Sequence, residues 1–297
     1  MMAAKPKVLA HVVDAYKSAV IRDPVLARGA TLVDPVEFET RLFLSLDEFR
    51  AKGVRGVWLR VPIELAELVP VAVRCGFAFH SARPQHVTLT AWLPKDSASK
   101  LPPAPYHFAG VGAFVLNSRD EILMVREKTG PSSMMRDFWK LPGGLVDQAE
   151  DFHAASEREL REETGLHAEF LRIAAIQEVH HSEERGGYAR GGTTDFYAVC
   201  VLRAKNESQP LVPQPDEIAE VRWFPAQEVL AMPLYSAEGS VFSRMFHHAY
   251  DVACGRAPGL EAVRLPMGFV DVKNNLFFVR KPGEPAPPPP PPTKSKM

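Results

Sequence analysis

The chain has little cysteine, almost no net charge and no long apolar run, and each shortage excludes something. Cys75, Cys200 and Cys254 are its only cysteines among 297 residues, widely spaced and without a CxxC pair. A disulfide framework is excluded, and three free thiols in a reduced compartment are expected. Lys plus Arg number 35 against 36 Asp plus Glu, a formal net charge of -1. Bulk electrostatics therefore gives no drive toward nucleic acid or a membrane surface, and a phosphate-bearing partner must be recognised locally. No stretch approaches the roughly 18 apolar residues of a membrane span. The start lacks the apolar core and cleavage site of a secretory signal, and its basic stretch, with Asp14 the only acid in residues 1–22, is poor in the Ser and Arg of a transit peptide. A cytoplasmic location is expected, with organellar import the alternative. There is no internal repeat.

The 46% hydrophobic content allows a sizeable core, and the length suits two domains. After an N-terminal extension over residues 1–29, "VEFETRLFLSLDEFR" (36–50) has helical apolar spacing at Phe38, Leu42 and Phe49. "KGVRGVWLRVPI" reads as a strand. "ELAELVPVAVRCGFAFH" reads as a helix that Pro70 kinks or divides, ended by Gly76 before a strand through Phe79; "VTLTAWLP" is another strand. Together residues 30–94 form a small α/β module. Residues 95–105 are polar and Pro-rich, an interdomain linker. A second domain, residues 106–256, opens with "GVGAFVLNSRDEILMVRE", which reads as a hairpin turning at Asn117 to Asp120. Strands at "RIAAIQEVHH" and "TTDFYAVCVLRA" and a helix in "SVFSRMFHHAYDVACG" follow, so strands and separate helices mix in an α+β class. Residues 257–282 form a C-terminal extension. Residues 283–297 carry six consecutive prolines, 287–292, and read as a disordered or polyproline II tail that could engage an SH3- or WW-like domain.

Between the two halves of the second domain lies "GLVDQAEDFHAASERELREETGL", residues 144–166, which crowds acidic side chains. On a helix turning about 100° per residue, Glu159, Glu162 and Glu163 share one face. Glu157 with Arg161 and Arg158 with Glu162 are complementary i, i+4 pairs, as on any solvated helix. Glu159 with Glu163 is a like-charge pair. Two carboxylates about 4 Å apart repel by roughly 1 kcal/mol in water and several-fold more near a low-dielectric surface. A cation turns that repulsion into binding energy. Hard oxygen ligands suit Mg²⁺ or Mn²⁺, which complete their shells with water and phosphate oxygens, so the pattern points to a phosphate-bearing substrate. A solvated charged face is the other reading of the spacing.

The same stretch resembles a Nudix box with every defining position filled: Gly144, five residues, Glu150, seven residues, Arg158-Glu159-Leu160, one residue, Glu162-Glu163, one residue, Gly165-Leu166. The resemblance implies a Nudix α/β/α sandwich with a mixed sheet. It also implies hydrolysis of a nucleoside diphosphate linked to another group, by attack of water on phosphorus. Glu159 and Glu163 would be the principal metal ligands, and Glu162 a further ligand or the base for the attacking water. Glu150 would be a secondary ligand or would orient the others, and Arg158 would hold the carboxylates in place. Gly143 and Gly144 would make the tight turn into the helix, and Gly165 would end it. A divalent cation neutralises a diphosphate and polarises the phosphorus, which bare carboxylates cannot do.

Residues 55–94 are similar to the domain that precedes the Nudix domain in a subgroup containing plant ADP-ribose and NADH diphosphatases and the vertebrate antisense fibroblast growth factor protein. That domain resembles half of an acetyltransferase fold and implies a homodimer; no Gly-rich acetyl-CoA loop is present. The subgroup implies ADP-ribose or NADH as substrate, giving AMP and a phosphorylated product. An RNA cap, flavin adenine dinucleotide or a coenzyme A derivative is the alternative, and a nucleotide-sensing or partner-binding protein a further one. The "SQPWPFPxS" element of dedicated NADH diphosphatases and the coenzyme A signature are absent. The loop 180–192 offers Arg185, Tyr188 and Arg190 to a nucleotide. Trp139, after Phe138, could stack on a base or sit in the core. Glu217 and Glu220 lie where family members supply an extra acid. His180-His181 and His247-His248 lack metal-ligand spacing.

Overall fold

The computed structural model describes residues 8–22, 34–129, 138–181, 192–266 and 273–280. The chain divides into two units, Met1–Pro105 and Tyr106–Met297. In the first, strands β1 (Val12–Val13), β2 (Ser18–Ile21), β3 (Gly56–Pro62), β4 (Ala78–Arg83) and β5 (His86–Trp92) form one sheet in the order β1-β2-β3-β5-β4. Helix α1 (Pro35–Ala51) crosses between the parallel pair β2 and β3; the remaining pairs are antiparallel. Asp34 caps α1 by accepting from the Val36 amide at 3.0 Å, and Pro35 occupies its first turn, where a missing N–H costs nothing. Pro70 divides the next segment: a 3-10 stretch, Ile63–Leu68, gives way to α2 (Val69–Arg74) with the proline in its first turn.

The period-two alternation of β3 decides its packing. Val57, Leu59 and Val61 are fully buried against Phe38, Leu42, Leu46 and Phe49 of α1, while Trp58 and Arg60 take the opposite face. Two expectations change here. Val12–Val13 and Ser18–Ile21 are strands of this sheet, so this part of the expected N-terminal extension belongs to the domain. Ser18–Ile21 is too short and too small-sided to announce itself, and only pairing with β3 makes it a strand. The linker is not free either: a Cβ on Gly56 would lie 2.6 Å from Leu101 Cδ2, so this part of the linker is seated on β3.

The second unit combines β6 (His107–Val115), β8 (Ala168–His180) and β9 (Thr194–Ala204) in a mixed sheet, order β6-β9-β8, with β7 (Glu121–Glu127) paired antiparallel to β10 (Ile218–Pro225). The expected hairpin is thus only a turn. Asn117 N donates to Glu121 O at 3.0 Å and Leu116 bridges Ile122, but β6 and β7 then enter different sheets. The longer ladders to β9 and β10 outcompete local pairing.

Helix α3 (Phe152–Thr164) covers one side of the mixed sheet, its Ala155 and Leu160 packing with Val111, Ala113, Ala198 and Cys200. Short helices α4 (Ala226–Ala231) and α5 (Pro233–Ser236) lead to α6 (Val241–Ala253) on the other side, where Met245, Phe246 and Ala249 pack with Phe114, Val199 and Val201. Helices on both faces and a mixed sheet give the α+β sandwich that was expected. Strands β11 (Glu261–Pro266) and β12 (Lys273–Phe278) form a hairpin joined to β8 through an Ile173–Leu260 bridge. Among the described residues no helix is long and apolar enough to cross a membrane. Cys75, Cys200 and Cys254 are free thiols. The proline tail lies outside the described residues.

Candidate active site

The acidic helix has a defined boundary at each end. Asp151 occupies its N-cap position, and Gly165 closes it in the left-handed conformation (φ 73°), donating its N–H to Arg161 O at 2.9 Å. Its sheet-facing side carries Ala155, Leu160 and also Glu163, whose exposure is only 5%. Residues 142–146 run beside β6: Ala113 N donates to Pro142 O, Val111 N to Gly144 O, and Val146 N to Ala109 O. This ladder brings the glycine pair against the helix.

Both glycines are required by contact. Gly143 has φ +150°, and a Cβ there would collide with Val111 O; a Cβ on Gly144 would lie 2.8 Å from the Glu159 carboxylate. The Gly143 N–H donates to Glu163 Oε2 at 2.8 Å. Glu159 and Glu163, one helical turn apart, therefore both face the turn.

Arg158 is the hub of the remaining charges. Its Nε and Nη2 form a bidentate pair with Glu150, both at 2.8 Å; Nη1 reaches Glu159 at 2.7 Å and Glu162 at 3.2 Å, and Nη2 also donates to Leu145 O at 3.0 Å. A planar guanidinium can serve this many acceptors in fixed geometry, which an ammonium cannot. Lys140 forms a second centre, 2.5 Å from Glu127.

Burial pushes the Glu163 carboxyl up to about 7; Lys140 and the Gly143 amide oppose the rise, while Glu159 and Glu127 add to it. Burial likewise raises Glu159 despite its ion pair with Arg158. Hydrogen bonding from Arg158 instead holds Glu150 below the usual carboxylate range, and Glu150 in turn raises Arg158 further. Glu162 is half exposed and, among the described residues, is tied down by Arg158.

Among the described residues, no three His, Cys, Asp or Glu side chains are already arranged as a metal cage. Arg158 binds Glu159 at Oε1 and the Gly143 amide binds Glu163 at Oε2, one oxygen of each carboxylate. The donor set still fits a hard divalent ion, because Mg²⁺ is commonly held by one or two carboxylates, with waters and substrate phosphates completing the shell. Glu159 and Glu163 supply those two.

Other candidates fall elsewhere. Trp139 is core: 7% exposed, edge-on to Phe224 at 4.7 Å, with Arg222 4.9 Å over its ring and its carbonyl accepting from Tyr235 Oη. Of the two readings of this residue, the structure places it in the core. Glu217 precedes β10 and is exposed, its carbonyl accepting from Lys128 N at 2.8 Å; Glu220 pairs with Arg126 at 3.1 Å. Neither shows a side-chain contact with the glutamates of α3. Arg185, Tyr188 and Arg190 lie outside the described residues.

Three residues near the glycine turn escaped sequence reasoning: Lys140, Glu127 and Tyr197. Tyr197, opposite Gly110 in the β6–β9 register, places its hydroxyl where a Gly112 side chain would sit. The alternating glycines of "GVGAF" were the available signal. Beside Gly144, residues Phe108, Leu145, Asp195, Phe196 and Tyr197 line a recess of about 220 Å³.

Comparison with known families matches the NUDIX domain over residues 106–245 and the Nudix hydrolase domain over residues 9–93. Nudix hydrolase 8 of Arabidopsis thaliana is 32% identical over 254 residues, covering 86% of this chain and 66% of the relative. Nudix hydrolase 2 of the same plant is 38% identical over 201 residues, 68% of each chain. The chain thus spans about two thirds of the length of these plant relatives. Nucleoside diphosphate-linked moiety X motif 6 of Mus musculus is 33% identical over 184 residues, covering 61% of this chain and 56% of the relative. A solved NUDIX hydrolase from Nitrosomonas europaea aligns with TM-score 0.36 and 18% identity, over 56% of this chain and 96% of the other. With a filled box on a capped helix and relatives matching across both units, the chain belongs to the Nudix hydrolases, phosphoanhydride hydrolases that act on diphosphate-linked moieties and generally use divalent metals.

Proposed function

We propose that the protein hydrolyses the diphosphate of ADP-ribose or NADH, releasing AMP and a phosphorylated product, with Mg²⁺ or Mn²⁺ as cofactor. The observation that carries this reading is the meeting of Glu159 and Glu163 at the Gly143-Gly144 turn, braced by Arg158. Glu159 and Glu163 would hold the cation, which when bound supplies charge neutralisation of the diphosphate and polarisation of the phosphorus. The bare glycine backbone lets the diphosphate approach the carboxylates. Arg158 keeps Glu150, Glu159 and Glu162 in register. Glu162, the most exposed of these, accepts the proton of the attacking water at a carboxylate oxygen as the phosphoanhydride bond breaks and the leaving phosphate departs. The aromatic recess beside Gly144 has room for a single base or ribose, and the likeness of residues 55–94 to the ADP-ribose and NADH subgroup favours those substrates.

The test is a panel: ADP-ribose, NADH, flavin adenine dinucleotide, coenzyme A and a capped RNA, each with Mg²⁺ or Mn²⁺, products separated by chromatography. AMP from ADP-ribose or NADH is expected, with turnover falling by roughly 10³-fold or more in Glu163→Gln and Glu159→Gln. Hydrolysis confined to another member of the panel would replace the substrate, and near-normal turnover in both variants would overturn the site.

A further inference from the structure

The face of the first unit's sheet that carries no helix holds a cavity of about 800 Å³. Strand alternation builds its floor. Val57, Leu59 and Val61 go under the helices, so Trp58 and Arg60 must come up on the other side, joined by Thr88 and Trp92 of β5. Tyr16 in the β1–β2 turn and the linker residues Lys100 and Leu101 also line it. Leu101, seated against Gly56, makes the site concave where a bare sheet would be flat.

The charge in this cavity is one-sided. Arg22, Arg55, Arg60 and Lys100 line it, and Asp14 is the only carboxylate among the lining residues. Asp14 is already engaged, its Oδ1 accepting from Tyr16 N at 2.8 Å and Ser18 N at 2.9 Å. Among the described residues none of the four cations forms an ion pair with a carboxylate, whereas Arg158 of the second unit is tied to three. Gathering unpaired like charges costs energy that an anion returns.

The aromatic groups are fixed in place. Trp92 Nε1 donates to Ser97 O at 2.9 Å and the Arg55 guanidinium lies 4.8 Å over its ring; Trp58 meets His80 edge-on at 4.8 Å. Arg60 Nη2 donates to His86 Nδ1 at 3.1 Å, which aims the arginine across β5; desolvation, with the nearby Arg60 and Arg83 charges, lowers the His86 imidazole's pKa. Positive charge and ring faces thus converge in a volume suited to a small molecule. The ligand chemistry that uses both is an aromatic base carrying phosphate: bases stack on indole and guanidinium planes, and arginine forks match phosphate oxygens. A long nucleic acid would want positive charge extended over the surface, and the chain's net charge of -1 does not provide it.

We infer that the first unit binds a nucleotide in this cavity, its base against Trp58 and Trp92 and its phosphates on Arg60, Arg55 and Lys100. The inference is independent of the diphosphatase reading. To test it, the full chain in EDTA is titrated with ADP, and separately with inorganic phosphate, by calorimetry and by quenching of tryptophan fluorescence. One saturable ADP site per chain is expected, with phosphate binding more weakly. Arg60→Glu and Trp58→Ala should each weaken ADP at least tenfold, Arg60→Lys less, and Glu163→Gln not at all, with circular dichroism melts verifying that each variant is folded. Absence of saturation by about 1 mM ADP would overturn the inference. So would binding lost in Glu163→Gln but kept in Arg60→Glu, which would assign ADP to the glutamate site. Affinity only for single-stranded oligonucleotides, rising with length, or a change in oligomeric state on Arg60→Glu without any ADP binding, would replace the nucleotide by nucleic acid or by a second copy of the chain. Neither result would alter the outcome of the hydrolysis panel.

Discussion

The first unit's sheet is covered by helices on one face; the mixed sheet of the second is covered on both. In the second unit successive residues enter different cores: Val199 and Cys200 of β9 in the mixed sheet are both fully buried, one with α6 and the other with α3, and so are Met124 and Leu123 of β7, which pairs with β10. On the one-sided sheet only alternate residues do so. Chemistry follows from this difference. In the second unit the inner stretches of β6, β7 and β9 are buried on both faces, and the acidic cluster sits on α3 and at the glycine turn, held by paired ions. In the first, the open face displays arginine and tryptophan directly from the strands.

The largest effects expected from this contrast are in stability. Leu123→Ala and Met124→Ala should each cost about 2–5 kcal/mol, as should Leu59→Ala in the first unit, while Trp58→Ala next to it should cost below about 1 kcal/mol. Urea denaturation would measure all four. A Trp58→Ala penalty equal to that of Leu59→Ala would mean the open face is covered, and the comparison would break.

A smaller effect is expected from the buried acid. Because burial raises Glu163 from 4.5 to about 7, its ionised form weakens the metal-free fold above that value. The penalty fades as pH falls from about 7 and is gone below 4.5. Fully developed, it is on the order of 3 kcal/mol. Melting in EDTA at pH 8 and pH 5 should therefore favour Glu163→Gln over the parent chain at the higher pH only. Equal pH dependence in the two would show that the carboxylate is not penalised by burial.

The smallest effect should separate the two kinds of arginine. Arg158→Lys cannot span Glu150, Glu159 and Glu162, so kcat/KM should fall by roughly 10–100-fold, about 1.4–2.7 kcal/mol. Arg60→Lys, with no carboxylate partner to lose, should leave unfolding free energy within about 0.5 kcal/mol. A loss of unfolding free energy above about 1 kcal/mol in Arg60→Lys, or an unchanged kcat/KM in Arg158→Lys, would erase the distinction between displayed and paired charge.

Much of this was legible from spacing. The i, i+4 placement of Glu159 and Glu163, the break at Gly165 and the alternation of "VWLRV" depend on local geometry, which period and propensity report. The misreadings share a cause. The hairpin at Asn117–Asp120 has a true turn, but β6 and β7 leave it for β9 and β10. Ser18–Ile21 is strand through its pairing with β3, and of the two readings left open for Trp139 its contacts with Phe224 and Arg222 select the core. Each outcome is set by a partner distant along the chain.

By itself, then, the sequence determined the acidic helix, its end, its class of chemistry and the parity of the strands, because these follow from neighbours within a few residues. Only the tertiary structure decided which glutamates face the glycine turn, that Lys140, Glu127 and Tyr197 join them, and that Arg22, Arg55 and Arg60, which line the first unit's cavity, form no ion pair with a carboxylate among the described residues. Those facts depend on desolvation and on contacts between distant segments, and no local pattern encodes either.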